Sequence, residues 1–271
     1  MTVIARRQIA ATGTGLLDVP FPSAGLTGWI DVAQGNNDTG PTEFSDVRSA
    51  ATYPVRGSEA VSLGTVNGIT VGTATMTAGN SRRGIVMPGS LVSGKSAITL
   101  AALVKPDDAG STAIFGAAVD GNTSPFVELG VTGDPYARLV VRHTSMSEDP
   151  EIFTTARYLD FTQWFGLIGM IDYADKRLYL EAVSDNIDDP ANNQRRSTNA
   201  FAGIAGSVSG SPSNLALGFL SRAGASNEDI WRGSRYEGMV KHGMVFDRIL
   251  NAQQLAEMRR YLRMYSRALN R

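Results

Sequence analysis

The amino-acid sequence predicts an all-β protein, built as an antiparallel two-sheet sandwich and followed by one helix at its C-terminal end. Three observations favour this fold class. Short apolar runs bounded by turn-forming residues recur about every 10–20 residues after position 97, as they do in antiparallel sheets. No helical repeat alternates with these runs, which disfavours a parallel sheet with crossover helices. Only residues 251–271 repeat apolar side chains at the spacings of an amphipathic helix.

Length and composition set the limits of the interpretation. The 271 residues fit one large domain with extensions, and 42% hydrophobic residues can supply a sizeable core. The chain contains 25 Lys and Arg residues and 26 Asp and Glu residues, so its net charge is -1. Such a chain has no overall positive potential to attract a polyanion, and we expect no nucleic-acid partner. The absence of cysteine excludes disulfides, thiolate metal sites and cysteine nucleophiles.

Residues 1–25 are predicted to form an N-terminal arm, because clusters of Gly, Pro and Ser interrupt every periodic pattern there. Arg6 and Arg7 stand where a signal peptide would need its apolar run, and no later stretch approaches the 18 apolar residues of a membrane span. We therefore expect a protein that is made in a cytoplasm without a signal peptide and has no membrane partner. The predicted domains are the arm at 1–25, the sandwich at 26–250 and the helix at 251–271.

The sandwich is predicted to open with a strand at Leu26–Ile30, and we expect Arg83–Pro88 to supply a further opening strand. Residues 35–80 are rich in Gly, Thr, Asn and Ser, which predicts short strands between long loops. Eight further strands follow, and their sequences are AITLAALVK, TAIFGAAV, FVELGV, YARLVVRH, QWFGLIGMID, KRLYLEAV, NLALGFL and RYEGMVKHGMVF.

The predicted strand at Arg177–Ala182 alternates between two kinds of side chain. Its even-numbered positions are Leu, Leu and Ala, whereas its odd-numbered positions are Arg, Tyr and Glu. Because successive side chains of a strand point to opposite faces, the two sets are expected to lie on opposite faces of the sheet.

The C-terminal segment is predicted to be a basic amphipathic helix. Asn251 and Gln254 have the spacing of a capping box. The apolar stripe that follows consists of Leu255, Met258, Leu262, Tyr265 and Leu269. The same segment contains five arginines and one acidic residue, Glu257.

Two arrangements of this helix are open. The stripe can dock on its own sandwich and leave the arginines in solvent. Alternatively, the outer half of the helix can contact an acidic neighbouring chain. The interface residues in that second case are Leu262, Arg263, Tyr265, Arg267 and Leu269.

Several blocks of the sequence resemble the concanavalin A-like lectin/glucanase jelly roll, in its laminin G-like branch. They are Ala102–Asp107, Trp164–Asp172 with Leu178–Leu180, Asn214–Gly218, and Tyr236–Val240 with Met244–Leu255. Two departures are visible: Leu103 stands where a Trp is common, and Phe165-Gly166 replaces a pair of histidines. The resemblance implies a jelly-roll sandwich, whereas the functions of this family are too varied to be inherited with the fold.

No catalytic residue is predicted. The glycosidases of this family carry an E-x-D-x-x-E strand, because retaining hydrolysis needs two carboxyl groups about 5 Å apart, and no such strand occurs here. The two histidines, His143 and His242, lie far apart in the sequence. Strand parity places His242 on the same face as Tyr236, Val240, Met244 and Phe246, so we expect it to be packed in the core and not to bind a metal.

Two loops are candidates for ligand binding. Calcium is the metal that this fold would accept, and the densest acidic loop holds Asp185, Asp188 and Asp189, although these residues also suit a solvated turn. The candidate sugar platform is Trp231, flanked by Asp229 and Arg232, with capping of the core edge as the alternative. Trp29 and Trp164 lie in strand patterns and are expected to be buried. No other cofactor is predicted.

A lectin-like sandwich without a signal peptide or cysteine fits a protein that is assembled in the cytoplasm and released by lysis. The sequence therefore favours a non-enzymatic structural or accessory protein of a tailed-phage virion, with the virion as its location. Its expected partners are other virion proteins in a homo- or hetero-oligomeric assembly, with a host glycan as a further ligand. The alternative is a carbohydrate-binding module for a cell-surface glycan, and a hydrolase ranks third.

Overall fold

The structure of the chain is a computed structural model. The structure describes residues 21–37, 40–57, 61–74, 83–107, 113–118, 125–132, 136–141, 151–153, 160–184, 194–197, 214–221 and 230–271.

Antiparallel strands dominate the described residues, as the sequence predicts, and one α-helix follows them. The strands are β1 (Leu26–Gly35), β2 (Glu43–Asp46), β3 (Thr52–Gly57), β4 (Ser62–Val66), β5 (Ile69–Ala74), β6 (Arg83–Pro88), β7 (Ala97–Pro106), β8 (Ala113–Ala118), β9 (Pro125–Val131), β10 (Ala137–Val141), β11 (Glu151–Phe153), β12 (Phe165–Asp172), β13 (Arg177–Val183), β14 (Gln194–Ser197), β15 (Asn214–Leu217), β16 (Phe219–Ser221), β17 (Ile230–Arg235) and β18 (Gly238–Phe246). The helix is α1 (Ala252–Leu269), and a short 3-10 turn covers Gly89–Leu91.

The strands form two packed sheets. Sheet A has the order β14-β13-β12-β7-β18-β1-β2, and the β4–β5 hairpin joins it along β18. Sheet B has the order β11-β10-β9-β8-β15-β6, and β16 and β17 join it beside β8. Strand β3 belongs to both sheets, because Thr52–Pro54 pairs with β2 and Val55–Gly57 pairs with β6.

The core between the two sheets is mostly aliphatic. The alternation predicted for β13 is confirmed, since Leu178, Leu180 and Ala182 all face this core. Gly169 on β12 has a role in it, because a Cβ at this position would lie 3.0 Å from a methyl group of Leu129 and from one of Leu139. The two sheets approach closely at that point.

Helix α1 lies on the outer face of sheet A, which makes the fold three layers deep. The apolar stripe predicted from the sequence is buried against its own sheet. Gly166 on β12 permits this packing, because a Cβ there would lie 2.7 Å from Leu262 Cδ1. The glycine stands in the position of a histidine in the family that the sequence resembles, so this departure makes room for the helix.

Both ends of α1 are attached to the sandwich. The predicted capping box is present: the Asn251 side chain accepts a hydrogen bond from Gln254 N at 2.9 Å, and the Gln254 side chain accepts one from Asn251 N at 3.0 Å. Beyond the last turn, the Asn270 side chain accepts from Trp164 N at 2.7 Å and donates to Trp164 O at 2.9 Å. Asn270 therefore pairs with the backbone of Trp164 as a strand residue would.

Phe21, within the segment predicted as an arm, belongs to the layer between α1 and sheet A. Its ring stacks on Trp29 at 4.4 Å and meets Tyr261 edge-on at 4.9 Å. Residues 1–20 of the predicted arm lie outside the described residues.

The structure corrects some of the predicted strands. NLALGFL is divided into β15 and β16 at Gly218, whose φ of +106° favours glycine, and RYEGMVKHGMVF is divided at Tyr236 and Glu237. Three of the described strands were not predicted: β11, β14 and β17. Strands β2–β5 lie in the region 35–80, where short strands were predicted. Within the described part of the chain, no helix is long and apolar enough to cross a membrane.

Candidate functional site

His242, the histidine predicted to be packed in the core, is fully buried between β18 and α1. The predicted parity is wrong at one point. A bulge at Lys241 shifts the register, so Val240 faces the core between the sheets whereas His242 faces the helix. There its Nε2 lies 3.0 Å from the hydroxyl oxygen of Tyr261, and its ring meets that of Tyr265 edge-on at 4.7 Å.

The bulge also brings Lys241 to Asp31, the residue opposite His242 on β1. Lys241 Nζ lies 2.5 Å from Asp31 Oδ1, and the Lys241 side chain is almost fully buried. Asp31 additionally accepts a hydrogen bond from Ala33 N at 2.9 Å. We call Asp31, Lys241, His242, Tyr261 and Tyr265 the interlayer polar cluster.

The electrostatics of the interlayer polar cluster indicate a structural role. Burial lowers the pKa of His242 to about 3, so the imidazole is neutral at physiological pH. Burial raises the pKa of Asp31, but the positive charge of His242 when it is protonated, the charge and hydrogen bond of Lys241 and the hydrogen bond from Ala33 N outweigh it and hold that pKa below its usual range. Burial also raises the pKa of Tyr261 and Tyr265. These groups bind one another and attach α1 to the sheet.

A second buried charge lies on the opposite side of the sandwich, on the outer face of sheet B. Val127, Leu129 and Val131 on β9 face the core, so Glu128 between them points away from it. Glu128 Oε1 accepts a hydrogen bond from Arg138 Nη1 of β10 at 3.1 Å. The two residues are diagonal neighbours across the strands, the geometry in which oppositely charged side chains stabilise a sheet.

The exposure of this pair is unequal. The Glu128 side chain is 1% exposed, whereas the Arg138 side chain is 22% exposed. A ligand on this face would therefore meet the guanidinium before the carboxylate. Gly116 pairs with Glu128 on the neighbouring strand β8, and Ala216 pairs with Gly116 on β15, so no large side chain lies next to Glu128 on that side.

The pair can hold a polar ligand but lacks one requirement for glycoside cleavage. A guanidinium donates several hydrogen bonds in a fixed plane, and the carboxylate keeps it oriented, which suits hydroxyl or carboxylate oxygens of a ligand. Retaining cleavage needs two carboxyl groups about 5 Å apart, whereas the partner of Glu128 at this point is an arginine.

The residues predicted to bind ligands lie largely outside the described part of the chain. Asp185, Asp188, Asp189 and Asp229 fall there, and so does His143. No group of three acidic or histidine side chains within the described ranges could hold a metal ion, so the calcium loop stays a prediction.

Trp231 and Arg232 occupy β17, and this strand joins sheet B through β16. The predicted sugar platform and the Glu128–Arg138 pair are therefore parts of the same sheet. Trp29 and Trp164 are buried, as predicted.

The apolar helix residues proposed for an interface with another chain are buried within this chain. Leu262, Tyr265 and Leu269 are buried against sheet A, which is the self-docking alternative. Arg263 is half-buried and Arg267 is exposed, and contact of these two with an acidic chain stays a prediction.

Sequence reasoning missed Glu128 and Arg138, although a signal was present. FVELGV and YARLVV each carry one charged residue inside an apolar run. A lone charge at an outward strand position is a reason to look for its partner on the neighbouring strand.

No protein-family model matches the chain. Among curated proteins, β-ketoacyl-[acyl-carrier-protein] synthase III 2 of Streptomyces coelicolor is 35% identical over 103 residues, which are 38% of this chain and 26% of that protein. The match thus spans about a quarter of the curated relative.

Solved structures resemble the whole sandwich. Domain 4 of AbnA, a GH43 extracellular arabinanase from Geobacillus stearothermophilus solved in complex with arabinotriose, is 16% identical with a TM-score of 0.57, over 88% of this chain and 99% of that domain. Botulinum neurotoxin type C, whose cell entry depends on two ganglioside molecules, is 9% identical with a TM-score of 0.56, over 88% of this chain and 51% of that one. Trypanosoma rangeli sialidase in complex with 2,3-difluorosialic acid is 16% identical with a TM-score of 0.54, over 96% of this chain and 36% of that one. These likenesses show the fold, a two-sheet jelly-roll β-sandwich.

Proposed function

We propose that this chain is a non-catalytic carbohydrate-binding module. The observation that carries the proposal is the correspondence of its sandwich to 99% of a single domain that was solved with arabinotriose. The chain thus has the extent of one binding domain, whereas it spans about a third of the sialidase.

We place the binding surface at Arg138, the partly exposed side chain on the outer face of sheet B, where its outward neighbours Glu128 and Val140 are buried. The other outer face, that of sheet A, is covered by α1. Sheet B carries the Glu128–Arg138 pair, with Arg138 partly exposed, and β17 brings Trp231 to the same sheet. Sugar sites combine an aromatic residue with charged hydrogen-bonding groups, and Trp231 and Arg138 supply both residue types on one sheet.

The interpretation as a virion protein, with other virion proteins as partners, has no support from the comparisons and stays a prediction. The likeness to a glycan-bound domain favours the alternative made from the sequence, a module that recognises a cell-surface glycan.

Titration calorimetry of the full chain with arabinotriose and with ganglioside oligosaccharides tests the proposal. We expect saturable binding of at least one of them, and no release of reducing sugar. Arg138→Gln should weaken that binding tenfold or more, and Trp231→Ala should weaken it as well. Arg177→Gln is the matched control, because Arg177 forms an exposed ion pair with Asp175 in a turn of sheet A.

The loss of Arg138 leaves a buried carboxylate without this partner, so each variant needs a melting curve. The double variant Glu128→Gln/Arg138→Gln removes both charges and keeps the fold testable. Equal affinities in the wild type and this folded double variant would place the site elsewhere. Release of sugar by the wild-type chain would refute the non-catalytic assignment.

A further inference from the structure

The β4–β5 hairpin ends in a two-residue turn with unusual chemistry. Val66 pairs with Ile69, so Asn67 and Gly68 form the turn, with φ of +49° and +79°. Both angles are positive, as in the type I′ turns that favour Asn-Gly in tight hairpins. This is the only Asn-Gly dipeptide in the sequence.

The Asn67 side chain also holds the end of α1. Its Nδ2 donates to Ala268 O at 3.2 Å and to Leu269 O at 3.3 Å. The last carbonyl groups of a helix have no partner within the helix, so an amide donor from another element satisfies them. Asn67 therefore connects the hairpin of sheet A to the C-terminal turn of the helix.

We propose that Asn67 is a site of spontaneous deamidation and that its conversion detaches the hairpin from the end of α1. The Gly68 nitrogen loses its proton and attacks Asn67 Cγ, the Cγ–Nδ2 bond breaks, and ammonia leaves. The resulting succinimide then adds water. Hydrolysis at one carbonyl gives aspartate and hydrolysis at the other gives isoaspartate, so the net change is one water consumed and one ammonia released.

The local structure does not hinder this reaction. Asn67 and Gly68 are both exposed, which gives water and base access to the turn. A Cβ placed on Gly68 would meet no atom within 4 Å, so nothing packs on that side of the attacking residue. The two hydrogen bonds of Nδ2 are long, at 3.2 and 3.3 Å, and they restrain the amide less than short bonds would.

The product can no longer perform the role of Asn67. A carboxylate accepts hydrogen bonds and does not donate them, so both contacts with the carbonyl groups of Ala268 and Leu269 are lost. The new negative charge also lies at the negative end of the helix dipole. Isoaspartate would further lengthen the backbone within a two-residue turn.

Incubation of the full chain at pH 8 and 37 °C, followed by peptide mass spectrometry, tests the chemistry. We expect a mass increase of about 1 Da that grows with time at Asn67, because a glycine that follows asparagine offers the least hindrance to the attack. Asn270, whose side chain also holds a helix end, is the internal control and should stay unchanged because Arg271 follows it. A turn that stays unmodified through weeks of incubation would overturn the proposal.

The variant Asn67→Asp tests the structural consequence without waiting for the reaction. We expect faster hydrogen exchange at the last amides of α1 and a melting temperature lower by about 2–4 °C. Asn37→Asp is the matched control, because Asn37 lies in an exposed turn of the loop between β1 and β2. Exchange at the helix end that is identical in Asn67→Asp and in the wild type would refute the connecting role of Asn67.

Discussion

The core between the sheets and the layer between sheet A and α1 are both well buried, but they differ in chemistry. The first consists mainly of aliphatic side chains such as Leu100, Leu129 and Leu180. The second is rich in aromatic rings and also contains His242 and Glu181. Apolar packing dominates between the sheets, which also share strand β3, whereas the helix depends on packing and on specific polar pairs. The two layers should therefore respond differently to substitution and to pH.

The largest effect is expected in the core between the sheets. Phe115 on β8 is fully buried there, and Phe115→Ala should lower the free energy of unfolding by about 3–5 kcal/mol, because it leaves a cavity in a packed interior. Urea denaturation measures this loss. Val47→Ala, at an exposed position, is the control and should change stability by less than about 0.5 kcal/mol. A small loss in both variants would mean that the sheets are not tightly packed.

The helix layer should be sensitive to acid. His242 has a folded pKa of about 3 against 6.5 for an exposed histidine, and Asp31, Lys241, Tyr261 and Tyr265 are the titratable groups that face it. The unfolded chain binds the proton of this histidine more readily than the folded chain does. The contribution of His242 to stability is therefore fully present above pH 6.5 and is lost as the pH decreases toward 3. The loss by pH 4.5 should be about 2–3 kcal/mol.

Urea denaturation at a series of pH values measures this loss, and His242→Gln isolates the contribution of the imidazole. The variant is expected to lose the steep part of the dependence between pH 6.5 and 4.5. Parallel pH curves for the variant and the wild type would show that carboxyl groups elsewhere cause the loss.

The next effect concerns the ion pair between α1 and β13. Arg259 Nε lies 2.8 Å from Glu181 Oε1 and 2.9 Å from Oε2, and its Nη2 donates to the Tyr179 hydroxyl at 2.9 Å. The Glu181 side chain is 1% exposed, so Arg259→Met should cost about 2 kcal/mol, less than in a fully buried pair because Arg259 is 27% exposed.

A double-mutant cycle distinguishes the charge from the packing. Adding Glu181→Leu to Arg259→Met removes the buried carboxylate that has lost its arginine and should recover most of the loss. If the double variant recovers none of the loss, the cost of Arg259→Met comes from the packing of the arginine side chain and not from the charge of Glu181.

The smallest effect is expected at the start of the helix. Asn251→Ala removes the capping box and should lower stability by about 1 kcal/mol, a decrease in melting temperature of about 2–4 °C. Gln253→Ala removes an exposed contact with Glu257 and serves as the control, with a shift within experimental error expected. Equal decreases in the melting temperatures of Asn251→Ala and Gln253→Ala would mean that the capping box contributes nothing beyond helix propensity.

The predictable parts of the fold were those in which one pattern determines the structure. Long apolar runs between turn residues predicted β7, β12 and β18, and the spacing of Asn251 and Gln254 predicted the start of α1. Short strands were predicted for residues 35–80 without bounds, because a polar strand such as the four residues EFSD of β2 resembles a loop and is held in place by pairing with β1 and β3.

The candidate site was less accessible to sequence reasoning. The face of His242 depends on the bulge at Lys241, which leaves no mark in a pattern of alternation. The burial of Glu181 depends on Arg259, 78 positions away in the sequence. Long-range partners of this kind become visible only when the layers are assembled.

Strand β3 has a consequence for contacts between copies of the protein. It leaves sheet A after Pro54, which has no N–H to donate, and continues in sheet B from Val55. The exchange joins the two sheets at one corner, and each half of β3 pairs on one side only, with β2 in sheet A and with β6 in sheet B. Unpaired edges are the places where a second copy can add a strand and start aggregation. The change of sheet divides this edge into two pieces of three residues, one of which ends in a proline, and such short edge pieces give a second copy little backbone to pair with.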